Sequence, residues 1–289
     1  SDQLISLDQP NSKPMIRPSQ GVHIVLEKKF LNGPHAIMVP HTTDGRVLFA
    51  VPWNNYVVVG TTDTPMEETL EEPKALDEEI QFILDNAGTY MTKKPKRSDV
   101  KSVFAGLRPL AASEENKEST KEVSRHHKIT VSTSGLVSVL GGKWTTYRKI
   151  AEDTINTVQM VGGFSERNCT TKNLPIFGFE ANSDWNDSLH FYGSEASKIR
   201  DLDPNGNQSL SEKIHITKNQ IHWAVKEEMA LRLEDVLARR TRGLFLDANE
   251  TAKIAPEVAE IMAQILNQDQ AWIDSELKSL NSIIKNYQL

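Results

Sequence analysis

From residue 184 onward the two-residue alternation of apolar and polar side chains that marks a strand disappears from this chain, and that change of period sets its architecture. Before it, apolar runs bounded by Pro, Asn and Gly read as strands over residues 22–26, 36–39, 46–51 and 56–61. Pro52, Trp53, Asn54 and Asn55 separate the last two as a hairpin connection, and the turn Thr43-Asp44-Gly45 closes another with the preceding strand. Leu76, Ile80, Ile83, Leu84 and Ala87 recur on one helical face across residues 76–90. Residues 100–107 return to strand, and 129–132 pairs with 136–140 across Thr133-Ser134-Gly135. Residues 144–161 read as a helix with Ile150, Ile155 and Val158 inward, ended by Gly162 and Gly163.

Residues 166–183, with Pro175 and Gly178, form a polar linker, and helices follow. Thr217 with Gln220 is a capping box ahead of Ile221, Trp223, Ala224, Val225 and Met229. Residues 231–240, 257–266 and 271–286 complete a small bundle. The chain is therefore expected to be α+β: an antiparallel-sheet domain with flanking helices over 1–165, the linker 166–183, and an all-α domain over 184–289.

A length of 289 residues suits two domains, and 38% hydrophobic with 25% charged residues suits a globular core that needs no disulfide. Cys169 is the one cysteine, so no intrachain disulfide forms; this fits a reducing compartment such as a bacterial cytoplasm. A net charge of -6 gives no global attraction to nucleic acid or anionic lipid. No apolar run approaches the roughly 20 residues of a spanning helix, so contact with a membrane would mean lying on it. Residues 1–20, interrupted by Pro10, Pro14 and Pro18, do not read as a signal peptide. The missing initiator Met suggests a fragment.

Four short segments can carry chemistry. In Gly141-Gly142-Lys143-Trp144-Thr145 a strand runs into two glycines and then a helix, so a ligand can approach bare backbone and meet the first helical amides and a lysine; the same residues also suit a tight turn with a solvated lysine. Arg108, in Gly106-Leu107-Arg108-Pro109, closes a strand before a proline that stops the ladder. Its planar fork suits carboxylate or phosphate, or a surface ion pair. His23 faces away from Val22 and Ile24 and is a packing residue or a base near neutral pH. Gly60-Thr61-Thr62-Asp63-Thr64 closes an apolar strand as a cleft lining or a turn that Asp63 caps. His35, His41, His126 and His127 lack carboxylate or cysteine partners at ligand spacing, so no metal site is expected.

Taken in order, a GVHIV strand, PW before VVVGTTD, AGLRPL, GGKWTTYR and EDVLARRTR resemble the flavin-dependent glycerol-3-phosphate dehydrogenases, within the amino-acid-oxidase-like flavoproteins. The likeness runs from about residue 1 to 287. It implies a substrate-binding, FAD-capping domain over 1–165. It further implies that His23 takes the proton from the substrate C2 hydroxyl, that Arg108 polarises the C2 oxygen or anchors phosphate, and that Lys143 lies close to substrate and flavin. The amides around Gly141, Gly142, Lys143, Trp144 and Thr145 would face the flavin N1 and O2, with the Trp144 side chain at a position that varies in the family. The reaction implied is oxidation of sn-glycerol 3-phosphate to dihydroxyacetone phosphate, hydride passing to FAD and electrons on to quinone. The family's N-terminal Rossmann-type domain carries a GxGxxG fingerprint that this sequence lacks, so the chain is expected to lack most of that domain, to hold an incomplete phosphate site, to retain FAD poorly and to be inactive alone. The resemblance also implies a cytoplasmic enzyme, peripheral on the inner face of the bacterial membrane, and allows a homodimer.

Two rivals stand beside it. An alpha-glycerophosphate oxidase passing electrons to oxygen shares these motifs, but no insertion of the kind such oxidases carry is evident. The charged stretch 111–127 reads as a loop over the active-site face, or as a solvated loop without a role. The second rival is not an enzyme: Arg232, Arg239, Arg240 and Arg242 would make the helical region a docking module for a partner or membrane surface, or merely a solvated helix face.

Overall fold

The computed structural model describes residues 1–111 and 126–289, so most of the expected loop over 111–127 lies outside the described residues. In chain order the first elements are α1 (Asp2–Asp8), β1 (Ile16–Glu27), β2 (Ile37–Val39), β3 (Leu48–Trp53), β4 (Tyr56–Gly60), β5 (Thr64–Pro65), α2 (Asp77–Gly88) and β6 (Ser102–Ala111). Then come β7 (His127–Val131), β8 (Val137–Gly141), α3 (Tyr147–Val161), α4 (Ala196–Asp201), α5 (Lys218–Lys226), α6 (Gly243–Leu246), α7 (Ala248–Leu266) and α8 (Gln270–Ile284). Strand pairs are antiparallel and residues beyond 196 are mainly helical, giving the expected α+β class.

Two compact units alternate along the sequence: Ser1–Gly21 with Asp63–Pro73 and Ala105–Pro175, and Val22–Thr62 with Lys74–Phe104 and Ile176–Leu289. They cut across the linear order 1–165, 166–183, 184–289. In the larger unit the reason is a shared core. Val25 of β1 and Tyr56 of β4 sit in one apolar cluster with Ile221 of α5, Leu244 of α6, Val258 of α7 and Leu280 of α8, each of which would contribute about 1.5–3 kcal/mol on burial. The backbone continues the join: Val103 N–H donates to Tyr287 O at 2.9 Å, Ala248 N–H to Lys101 O at 3.2 Å, and the Ser102 hydroxyl to Leu244 O at 2.7 Å.

Within this unit β3 and β4 turn at Asn54-Asn55, with Trp53 opposite Tyr56 and Asn54 in the left-handed region that asparagine tolerates. On α2, Ile80, Ile83, Leu84 and Ala87 are buried as the period predicts, but Leu76 is 41% exposed, because it is a cap residue whose N–H donates to Glu79 Oε2 at 3.0 Å. The Thr217 capping box forms, with Gln220 N–H to Thr217 Oγ1 at 3.1 Å and Thr217 N–H to Gln220 Oε1 at 3.0 Å. Met229 departs from the expected buried face and is 79% exposed: α5 ends at Lys226 and Met229 takes a left-handed turn. Residues 235–240 coil as a π-helix. α7 begins at Ala248 rather than 257 and runs through Pro256, which lies on the exposed side of the helix and leaves the Ala252 carbonyl without its helical donor.

The smaller unit pairs Ser19 and Gln20 of β1 with β5, and β7 with β8 across Gly135. Helix α1, unforeseen in the proline-broken N-terminus, is fixed because the Asp2 carboxylate accepts the Met15 and Ile16 amides at 2.9 and 3.1 Å. β6 continues through Pro109 to Ala111 rather than stopping at it; among the described residues β6 pairs with β1 off the main strand order, and a strand at such a position can lose an N–H. Ile155 of α3 is 57% exposed rather than inward, and no α3 residue is fully buried. Among the described residues no helix is long and apolar enough to cross a membrane.

One ion-pair group gives a pH signature. Lys101, at 2.8 Å, and Lys29 both meet the Glu27 carboxylate and lower its pKa from 4.5 to about 2. A carboxylate depressed in the folded state stabilises that state above its unfolded pKa, and the contribution fades as pH falls from 4.5 toward 2. Glu27→Gln should therefore lower the thermal midpoint at pH 7 and shrink its difference from the parent chain at pH 3. An equal difference at both pH values would contradict the assignment.

Candidate active site

β8 delivers the chain to Gly141 (φ 69°) and Gly142 (φ 91°), backbone angles that residues with a β-carbon rarely adopt. A β-carbon at Gly142 would lie 2.6 Å from Ile150 Cδ1 and 3.2 Å from His127 Cβ, so the bare backbone is what lets the start of α3 close on the hairpin. The helix expected from Trp144 opens instead with a 3-10 turn, Trp144–Thr146, and α3 begins at Tyr147. Lys143 O accepts both the N–H and the hydroxyl of Thr146 at 3.0 Å. The amides of Trp144 and Thr145 precede any acceptor that this turn can offer.

Gly141, Gly142, Lys143 and Trp144 line an open, mostly apolar cleft of about 630 Å³, together with Pro109, Tyr147 and Ile150. Thr145 is adjacent in sequence but outside that lining. Trp144 is 86% exposed and stacks on Tyr147 at 5.8 Å. An uncovered aromatic shelf, helix-start amides and one lysine suit a planar heteroaromatic ring with electron-rich oxygen or nitrogen on its edge. The turn fits the ring end of a flavin; a strand–GxGxxG–helix cradle for a pyrophosphate is lacking in this sequence.

Arg108 lies in the same unit, one residue before the cleft-lining Pro109. A β-carbon at Gly21 would stand 2.3 Å from its Nη2 and 2.6 Å from both Cζ and Nη1. All three distances are far inside van der Waals contact, so the end of the guanidinium occupies the space that a side chain at this position would fill. Arg108 Nη1 is 3.9 Å from Asp63 Oδ1, and that same oxygen accepts the hydroxyl of the buried Ser19.

His23 belongs to the other unit, where it is half-buried and registered opposite Gly60. A β-carbon at Gly60 would come within 2.4 Å of His23 Cδ2. The imidazole stacks on Phe104 at 5.1 Å and 15°; Phe104 meets Phe245 edge-on, and Phe245 meets Tyr287 edge-on. Aromatic pairs of this kind contribute about 0.5–1.5 kcal/mol each beyond area burial, so the ring has a fixed plane. The sequence offers Gly60 to Asp63 as a cleft lining or a turn, but not the close approach of His23 to Gly60, the packing of Arg108 against Gly21 or the stacking of Phe104. Glycines inside strand patterns were the available signal, since they mark close approach to the backbone.

Known proteins resemble this chain along nearly its whole length. The family model described as FAD dependent oxidoreductase matches residues 1–148, and one described as the C-terminal domain of alpha-glycerophosphate oxidase matches 137–273. The chain is 36% identical to a probable mitochondrial glycerol-3-phosphate dehydrogenase of Dictyostelium discoideum, covering 98% of this chain and 48% of that protein. A probable mitochondrial glycerol-3-phosphate dehydrogenase of Caenorhabditis elegans is 34% identical, covering 96% and 42%. The crystal structure of the glycerol-3-phosphate dehydrogenase from Bacillus halodurans complexed with FAD superposes with a TM-score of 0.79 at 26% identity, covering 99% of this chain and 60% of that one. The chain thus spans somewhat under half the length of these two curated relatives.

The glycine turn makes a graded prediction. Gly142→Ala meets both an unfavourable φ and a clash with Ile150, whereas Gly163→Ala (φ 63°) meets open space. Urea unfolding should show Gly142→Ala destabilised by about 1–3 kcal/mol more than Gly163→Ala. Equal losses would mean that backbone angle alone matters there.

Proposed function

The chain belongs to the FAD-dependent oxidoreductase family, and from that premise we propose that it supplies the substrate side of an enzyme oxidising sn-glycerol 3-phosphate to dihydroxyacetone phosphate. The observation that carries this reading is the apolar cleft at Gly141-Gly142-Lys143-Trp144, a shelf for a flat ring beside helix-start amides. FAD, when bound, supplies the two-electron acceptor for the C2 hydrogen. The amides of Gly142, Lys143, Trp144 and Thr145 are the donors offered to the electron-rich edge of that ring, and fixed donors need no reorganisation as charge develops. Lys143, exposed on the cleft rim, is a mobile cation for the substrate phosphate or the ring oxygen. Arg108 presents a flat guanidinium fork to the C2 oxygen or the phosphate. His23, its ring plane held by Gly60 and Phe104, takes the C2 hydroxyl proton.

Quinone is the acceptor we propose, with oxygen the alternative that the oxidase-derived family model favours; anaerobic and aerobic reoxidation rates separate them. We further propose a chain that lies on a membrane surface in a compartment that keeps Cys169 reduced, and a homodimer. The two curated relatives named above carry mitochondrial names and the solved structure comes from a bacterium, so the bacterial cytoplasm is one such compartment among others.

Two measurements test the reading. Titrated with FAD, this chain should show no tight stoichiometric flavin, because it offers the ring a site but the pyrophosphate none; a yellow protein surviving gel filtration would overturn that. In the flavin-loaded enzyme, His23→Asn should lower kcat about 10²–10⁴-fold with the glycerol phosphate KM little changed. An unchanged kcat would remove His23 from the proton step.

A further inference from the structure

Asp63 ends a Gly-Thr-Thr-Asp run that reads equally well as a cleft lining or a turn capping its own backbone, and in the structure its carboxylate meets Ser19 and Arg108. Its side chain is only 8% exposed. One oxygen, Oδ1, accepts the Ser19 hydroxyl and stands 3.9 Å from Arg108 Nη1. Ser19 and Gly21 alternate to the same side of β1, and it is against Gly21 that the end of the Arg108 guanidinium packs, with three of its atoms 2.3–2.6 Å from where a β-carbon would be. An arginine has four rotatable side-chain bonds and a fork of five donors; left alone, its plane and the direction of its donors would both wander. Here the bare backbone at Gly21 makes room for the end of the fork, and the carboxylate biases its orientation by drawing Nη1 to one side. Ser19, fully buried, in turn holds the carboxylate.

We propose that Asp63 is a positioning residue for Arg108: anchored by Ser19, it sets the in-plane orientation of the guanidinium so that the donors not facing Asp63 point at substrate oxygen. This rests on the substrate role given to Arg108 above. Asp63 touches no reacting atom in this scheme. Its carboxylate also offsets part of the guanidinium charge, so the site holds a directed donor rather than a diffuse cation, which favours an oxygen at one place over anions in general.

The test is a double-mutant cycle in the flavin-loaded enzyme, read by calorimetric binding of dihydroxyacetone phosphate as well as by steady-state kinetics. Asp63→Asn should weaken product binding and raise the glycerol phosphate KM by roughly tenfold to hundredfold, the usual range for losing a partner that orients a binding group, with kcat changed much less. Asp63→Glu should recover part of the loss. In an Arg108→Ala background, Asp63→Asn should add nothing, because its effect passes through the arginine. Should Asp63→Asn fail to fold, Ser19→Ala carries the same cycle with a smaller shift in the same direction. Additive losses in the double variant, or parental binding in Asp63→Asn while Arg108→Ala binds poorly, would overturn the positioning role. Parental binding in Arg108→Ala itself would overturn both this role and the substrate role of Arg108.

Discussion

The geometry of this protein depends on three β-carbons that are not there. Arg108 occupies the space a side chain at Gly21 would need, His23 that of Gly60, and Ile150 that of Gly142. Interiors are packed too tightly for both occupants to be present. Each missing atom lets a functional or structural group press against backbone instead of standing off by the width of a methyl. Two of the three groups brought close, a guanidinium and an imidazole, are planar and polar. Both are the kind of group that needs a defined plane before it can act on a small oxygen-rich molecule.

The larger unit shows how the sheet obtains that rigidity. β1 and β4 do not close a core by themselves; the helices after residue 196 complete it around Val25 and Tyr56. The aromatic row from His23 through Phe104 and Phe245 to Tyr287 then links a candidate base on a strand to the C-terminal end of the chain. Removing the last turn after α8 would take away the Tyr287 end of that row, and with it the acceptor of the Val103 amide.

Much of this was legible in the sequence where one rule acted alone. The alternating apolar runs gave β3 and β4, the 3.6-residue period gave the buried face of α2, and Thr217 with Gln220 gave the start of α5. Motif order gave the family. Reading failed where two rules competed. Pro256 argued for a helix boundary, but a proline on the exposed face costs α7 one helical hydrogen bond and the helix continues. Pro109 argued for a strand end, yet β6 runs on through it to Ala111. Helix α1 was invisible because its fixing interaction, Asp2 with the amides of Met15 and Ile16, reaches past the helix itself and the proline-broken segment that follows it. Among site residues, Lys143 and the two glycines were readable from their spacing. The support given by Gly21, Gly60, Phe104 and Asp63 was not, because it exists only after strands far apart in sequence become neighbours.

The interleaving of the compact units bears on modularity. A helical region whose core includes residues of β1 and β4 is not a cassette. Severed at the polar stretch around residue 180, it would leave the sheet with an uncovered apolar face and would itself lose the wall against which its helices settle. Recombination that swapped this region between relatives would have to preserve the strand residues beneath it as well, so the two must change together over evolutionary time.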